Sequence, residues 1–439
     1  MTLRQKIEQE IRERGPIPFS RYMALCLYDP ELGYYSRNAE QFGKAGDFYT
    51  ASDVHAVFGR LLARQFEELW RVLGSPGRIE LLELGPGRGL FAQDVLDWSE
   101  KKFPEFFRAL HYSLAESSGA LRERLQLTLG RHFKAGKASF PQRLKPVISD
   151  ELGGTAAAVP FYGDTGGLTG ASEISPATID EDNPARDDIG EGTTLVVPEV
   201  ARNAAALAAE AWFSRPLIIF ANEFFDALPV EAISPQGELR IATQNGRFVE
   251  TWAPASAEEL EFLDRHSLHP EAGERIEVSL TAQRYMSRIA AAVQRGFIIA
   301  IDYGYTREEQ LAGRHRGTVT AFRQHSVSAN PYEAPGEQDI TGHVNFTALA
   351  AAAEQNGMRV QPLLTQSQFL MGIGEKNQFA DAFEECRLPQ ERAKVALQLK
   401  HLVTPAGMGE SFHVLVASKG VAPERVRALS GLSFGKTRS

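Results

Sequence analysis

Two spacings of apolar residues organise this chain. Short, nearly continuous apolar runs at Ile79–Leu84, His111–Ala115, Pro216–Ala221, Gly296–Ile301 and Phe412–Ala417 predict core strands, buried on both faces as in a parallel sheet. Stretches with helical spacing separate them: Leu3–Arg14, Phe19–Leu27, Val57–Leu73, Gly119–Leu129, Ala201–Trp212, Thr281–Gln294 and Phe346–Asn356. Strands alternating with helices predict an α/β fold, a doubly wound Rossmann-like sheet. Residues 231–280 break the rhythm with shorter alternating runs around Asn245-Gly246, a hairpin signal, and predict a β-rich insertion. The resulting division is a helical cap over 1–75, a first part of the sheet domain over 76–230, the insertion over 231–293, the remainder of the sheet domain over 294–420, and a mobile tail over 421–439.

Composition changes this picture in one place. The net charge of −9 is local: residues 150–192 hold ten acids and one base, Arg186, while the rest of the chain carries equal numbers of each. That acidic, glycine-rich segment reads as a flexible insertion. No overall basic footprint suggests nucleic acid. No apolar run approaches the roughly 20 residues that span a bilayer, so no membrane insertion is expected. The N-terminus is a charged amphipathic helix with Glu8, Glu10 and Glu13, unlike a secretory or import leader, which points to the cytoplasm. Cys26 and Cys386 alone make neither a disulfide framework nor a zinc site, and no clustered Cys/His pattern suggests a metal.

The most informative chemistry lies between the first core strand and the next helix. Glu83-Leu-Gly-Pro-Gly-Arg-Gly89 places Gly85, Gly87 and Gly89 at alternate positions before Leu90-Phe-Ala-Gln-Asp. Such a turn brings a ligand against bare backbone at a helix N-terminus. A dinucleotide loop of the G-x-G-x-x-G type would need glycine at position 90, which is Leu. The E-x-G-x-G-x-G spacing, opened by Glu83, fits S-adenosylmethionine better, because its zwitterionic amino-acid tail needs close backbone approach and a carboxylate. A glycine-rich turn without a ligand is the alternative.

Ligands in open α/β sheets lie at the carboxyl ends of strands, and three further ends are polar. Glu116 follows the second strand, placed to accept ribose hydroxyls or to cap the next helix. Asn222, Glu223 and Asp226 crowd the apolar segment Ala221-Asn-Glu-Phe-Phe-Asp-Ala-Leu-Pro-Val230. Unpartnered burial of such groups costs several kcal/mol, so they should face a polar ligand; a helix N-cap at Asn222 is the other reading. Asp302 and Tyr303 follow the fourth strand, lining the same crevice or forming a turn that Gly304 eases. His343 is either a general base or structural, and Asp339 and Thr341 are candidate caps of the helix that follows.

These segments together resemble the MidA-like class I methyltransferases, a family that includes the mitochondrial protein arginine methyltransferase assisting respiratory complex I assembly. The resemblance runs in order through Tyr28-Asp-Pro-Glu-Leu-Gly-Tyr-Tyr35, Gly46-Asp-Phe-Tyr-Thr50, Leu84-Gly-Pro-Gly-Arg-Gly89, Asn222-Glu-Phe-Phe-Asp-Ala-Leu-Pro-Val230, Asp302-Tyr-Gly304 and Asp339-Ile-Thr-Gly-His-Val-Asn-Phe346. It implies a class I methyltransferase sheet, S-adenosyl-L-methionine as cofactor, and methyl transfer to arginine of a protein partner, with a respiratory complex I subunit as one such partner. Cofactor contacts carry onto Glu83, Gly85, Gly87, Gly89 and Glu116, with Gly46, Asp47 and Phe48 as a lid. Glu223 and Asp226 are the candidate catalytic acids, oriented by Asn222; Asp302, Tyr303 and His343 are candidate substrate contacts. Asn345 stands where the family often has Asp. Methylation of a small molecule, or a donor-binding assembly factor, are the competing functions.

Overall fold

The computed structural model describes residues 1–37, 56–141, 145–146, 160–161, 215–313, 317–323, 326–328 and 330–434. Its main sheet uses β1 (Ile79–Leu84), β2 (Leu110–Ala115), β3 (Ala138–Ser139), β4 (Leu217–Asn222), β5 (Gly296–Tyr305), β6 (Arg359–Val360) and β7 (Phe412–Lys419). Their order across the sheet is β3-β2-β1-β4-β5-β7-β6. Strands β3 to β5 run parallel, and β7 inserts antiparallel between β5 and β6. Each expected core strand is present. Alternation of side chains assigns the two faces: Ile79, Leu81, Ile218, Phe220, Phe297 and Ile299 enter one core, and Leu82, Leu84, Leu217, Ile219, Ile298 and Ala300 enter the other.

The helices on those faces redraw the expected domain boundaries. The helix Ala56–Val72 was expected in the N-terminal cap, yet it lies on the first face, where Phe66 packs edge-on to Phe220 at 5.4 Å and Phe91 stacks on Phe220 at 4.6 Å. The helix Leu280–Ala292 was expected in the insertion, yet Tyr285, Met286 and Ile289 cover the second face. What remains of the cap and insertion forms one unit. The antiparallel sheet of Glu231–Ser234, Gly237–Gln244, Arg247–Ala253 and Ile276–Val278 takes Ile17–Pro18 as a further strand. Leu3, Ile7, Ile11 and Tyr22 of the first two helices pack against its Leu239, Ile241 and Phe248. The helix expected at Ala201–Trp212 and the acidic segment 150–192 lie outside the described residues.

The tail departs from expectation. Up to residue 434 it is docked: Val426, Leu429 and Leu432 are buried, the Ser430 N–H and hydroxyl donate to Glu68 at 2.9 and 2.6 Å, and Gly431 N–H donates to Gln65. Its basic residues suggested solvent exposure, but the apolar residues between them carry the packing. Removing residues 421–439 is therefore expected to cost roughly 3 kcal/mol or more, from three apolar side chains worth about 1.5–3 kcal/mol each when fully buried. Urea unfolding of the shortened chain beside the full one checks this.

Candidate active site

Strand register aligns the polar segments. Leu84 sits opposite Ala115 on one side and Ala221 on the other, and Ala221 sits opposite Ala300. The glycine loop and Glu116, which follow β1 and β2, Asn222, which ends β4, and Asp302 of β5 therefore gather at one edge of four adjacent strands, each about 4.8 Å from the next. The direction of chain progression reverses between β1 and β4, the switch point at which open α/β sheets bind ligands.

The glycine loop has the backbone its sequence calls for. Gly85, Gly87 and Gly89 have φ of 62°, 51° and 78°, a region L side chains rarely enter. A Cβ on Gly85 would come within 2.9 Å of the Phe224 ring, and one on Gly89 within 2.6 Å of Leu125, whereas one on Gly87 would enter open space. Gly89 begins the helix Leu90–Lys102 with no side-chain cap, leaving its first N–H groups to an anionic ligand. Glu83 is set back one residue from the end of β1, buried, with the Tyr112 hydroxyl donating to it at 2.8 Å. Burial raises the Glu83 carboxyl to about 8 against that hydrogen bond.

Glu116 is half-buried just past β2. The helix cap there is Ser118, whose hydroxyl accepts from Leu121 N–H, so capping does not define Glu116. It accepts Ser118 N–H at 2.8 Å, and burial lifts it to about 7.

No helix follows Asn222; the chain turns. Glu223 sits at φ 50°, held by its N–H donating to Ile301 carbonyl at 2.9 Å. A non-glycine residue there costs on the order of 1–3 kcal/mol and persists only where its surroundings enforce it. Asp302 supplies the enforcement. Its Oδ2 accepts N–H groups of Phe224, Phe225 and Asp226 at 3.1, 3.0 and 3.3 Å, and Oδ1 accepts Tyr303 N–H at 3.0 Å. At 1% exposed, Asp302 is a strap beneath the loop and not the substrate contact its sequence position suggested. Replacing it with Ala leaves four main-chain donors without their acceptor, and a loss of about 3 kcal/mol or more is expected in urea unfolding. Asn222 Nδ2 donates to Glu223 Oε1 at 3.1 Å, and its buried Oδ1 has no hydrogen-bond partner among the described residues. Asp226 is 6% exposed; its Oδ2 accepts the Tyr303 hydroxyl at 2.5 Å, and its Oδ1 likewise has none among the described residues. Burial raises both acids, Asp226 to about 6; the neighbouring carboxyls of Asp226 and Glu223 push Asp302 further, while its backbone donors oppose the shift.

Residues 61–364 match the family described as "Putative S-adenosyl-L-methionine-dependent methyltransferase". The chain belongs to this methyltransferase family. It is 26% identical over 437 residues to the mitochondrial protein arginine methyltransferase NDUFAF7 homolog of Drosophila melanogaster, covering 96% of this chain and 85% of the relative. The human mitochondrial protein arginine methyltransferase NDUFAF7 is 24% identical over 421 residues, covering 92% and 80%. A Burkholderia thailandensis protein solved with S-adenosyl-homocysteine bound superposes with a TM-score of 0.71 at 25% identity, over 98% of this chain and 94% of that one. The sheet is thus a class I methyltransferase sheet, and the cofactor is S-adenosyl-L-methionine. The residues present fit it: bare backbone at Gly87, an uncapped helix start, and carboxylates at the ends of β1 and β2.

The remaining expectations for this methyltransferase divide. The Tyr303 and His343 rings meet edge-on at 5.3 Å, and the Tyr303 hydroxyl donates to Asp226. Gly304 is needed for close approach, since a Cβ would lie 2.2 Å from Val344 carbonyl oxygen, and not for an unusual backbone angle. Asn345 caps the helix Phe346–Gln355 through Ala348 N–H and donates to His266 carbonyl, a donor that Asp would lack. Gly46, Asp47 and Phe48 lie outside the described residues. Three tyrosines escaped the sequence reading of the site. Tyr28 hydroxyl donates to Ala227 carbonyl at 2.8 Å, Tyr35 hydroxyl to Asp339 at 2.9 Å, and Tyr112 hydroxyl to Glu83. Tyr28 and Tyr35 stand in a quoted family segment, which was the available signal. Among the described residues, no helix is long and apolar enough to cross a membrane.

Proposed function

We propose that this methyltransferase transfers methyl groups to arginine side chains of a protein, with symmetric dimethylation as the family resemblance implies. The relatives named above are protein arginine methyltransferases by name, and a respiratory complex I subunit is the partner the resemblance suggests. The observation that carries the reading is Asp226, a buried carboxylate with one oxygen unpartnered among the described residues, on the loop that touches the glycine turn through Phe224. A guanidinium has five N–H donors and stays protonated. Glu223 and Asp226 would hold its plane and draw positive charge away from the attacking nitrogen. The glycine turn and helix start would hold the donor's amino-acid tail, Glu83 would supply the carboxylate behind them, and Glu116 would take the ribose hydroxyls. Bound there, the cofactor supplies an electrophilic methyl group.

The acid must be ionised to do this. Because Asp226 is raised to about 6, methyl transfer is expected to be lost as pH falls through about 6 and to be full above it. A rate profile between pH 5 and 8 checks the sign. Methyl-labelled cofactor incubated with the enzyme and a cell lysate, followed by peptide mapping, is expected to place label on arginine. Label confined to small molecules or to other side chains contradicts the substrate assignment.

A further inference from the structure

The two oxygens of Asp226 differ. One takes the Tyr303 hydroxyl, and the other is buried with no hydrogen-bond partner among the described residues. The Tyr303 ring is itself fixed: it packs edge-on against His343 and Phe412 at 5.3 and 5.6 Å. Its backbone lies in β5 opposite Phe412, and its N–H is bonded to Asp302. Consecutive residues of β5 thus grip the same acid, Asp302 through the Asp226 N–H and Tyr303 through the carboxylate. We infer that Tyr303 is a positioning residue: it occupies one oxygen of Asp226, turns the other toward the acceptor nitrogen, and does not itself contact the substrate. This rests on the reading of Asp226 as the acid that receives the acceptor.

The surroundings give this hydroxyl an electrostatic role as well. Among the described residues, the ionisable groups facing Asp226 are Asp302 and Tyr303 on β5 and Tyr28 and Tyr35 from the N-terminal segment; Glu223 lies near Asp302, and Asp339 and Glu116 lie near Tyr28. His343 packs edge-on against the Tyr303 ring. Nearby carboxylates disfavour the ionised acid, and a hydroxyl donating to it favours that form.

The test is Tyr303→Phe, which removes one oxygen and leaves the ring in place. Labelled methyl transfer into lysate protein is followed from pH 5 to 8.5, with calorimetry of S-adenosyl-homocysteine on each variant. The plateau rate is expected to fall roughly tenfold. The acid limb should move upward by roughly one pH unit, with affinity for S-adenosyl-homocysteine unchanged. A merely structural tyrosine would lower the rate and leave the limb in place; that result overturns the inference. Asp226→Asn, run beside it, separates the two claims. If it abolishes transfer while Tyr303→Phe leaves the profile intact, only the role of Tyr303 fails. If it transfers methyl groups as well as the parent, the reading of Asp226 fails as well.

Discussion

Gly87→Val is expected to weaken S-adenosyl-homocysteine binding by roughly a hundredfold or more, about 2.7 kcal/mol at 1.36 kcal/mol per tenfold. The backbone at Gly87 has φ 51° and faces open space. Two effects add. A β-branched residue is a poor occupant of that region and would pull the turn away from its present course. Whatever conformation it reaches, its isopropyl group fills the volume in which the donor's tail would meet the main chain. The fold should survive, because a Cβ at this position meets no neighbouring atom within 4 Å. Titration calorimetry alongside a melting curve distinguishes loss of the site from loss of the protein. The same substitution at Gly85 would be less clean, since it also displaces Phe224.

The second large effect is expected at the acids. Asp226→Asn should retain cofactor affinity and lose methyl transfer by roughly a hundredfold or more, with Glu223→Gln behaving likewise. Truncating or neutralising one partner of a desolvated, hydrogen-bonded charge pair costs about 2–5 kcal/mol, and here the partner would be the acceptor's guanidinium. Asparagine keeps the size and the Tyr303 contact, so the loss would be one of charge. Glu223 has a further reason for its place: its left-handed backbone and the Asp302 strap fix where its side chain starts. Rates with labelled cofactor, set beside S-adenosyl-homocysteine affinity for the same preparations, check the separation of binding from turnover.

Much of this site was legible in the sequence because its components are local. The spacing of Gly85, Gly87 and Gly89 after an apolar run states a strand, a tight turn and a helix start in consecutive residues. Asn222, Glu223 and Asp226 stood out because polar groups inside an apolar segment need partners. What the sequence did not disclose depends on contacts between distant residues. β5 continues through Asp302, Tyr303 and Gly304 to Tyr305, although those polar residues looked like the end of a strand. Asp302 is used from beneath, by backbone groups nearly eighty positions earlier, so its position at a strand end misled as to its role. Tyr28 and Tyr35 join Ala227 and Asp339 across 199 and 304 positions. Helical spacing in Ala56–Val72 and Leu280–Ala292 correctly gave helices, but a period alone does not say which core an apolar face enters. The docked tail was missed for a related reason: its arginines and lysine dominate the composition, while Val426, Leu429 and Leu432 carry the burial.

The central claim is spatial: the donor lies along the main chain of residues 85–89, with its reacting end toward Asp226 and Glu223. A crystal structure with S-adenosyl-homocysteine tests it most directly. The amino-acid tail is expected against Gly85–Gly89, with both ribose hydroxyls within hydrogen-bond distance of Glu116 and the thioether sulfur facing Asp226 and Glu223. A ligand seated elsewhere, or a sulfur turned away from those two carboxyls, would contradict it.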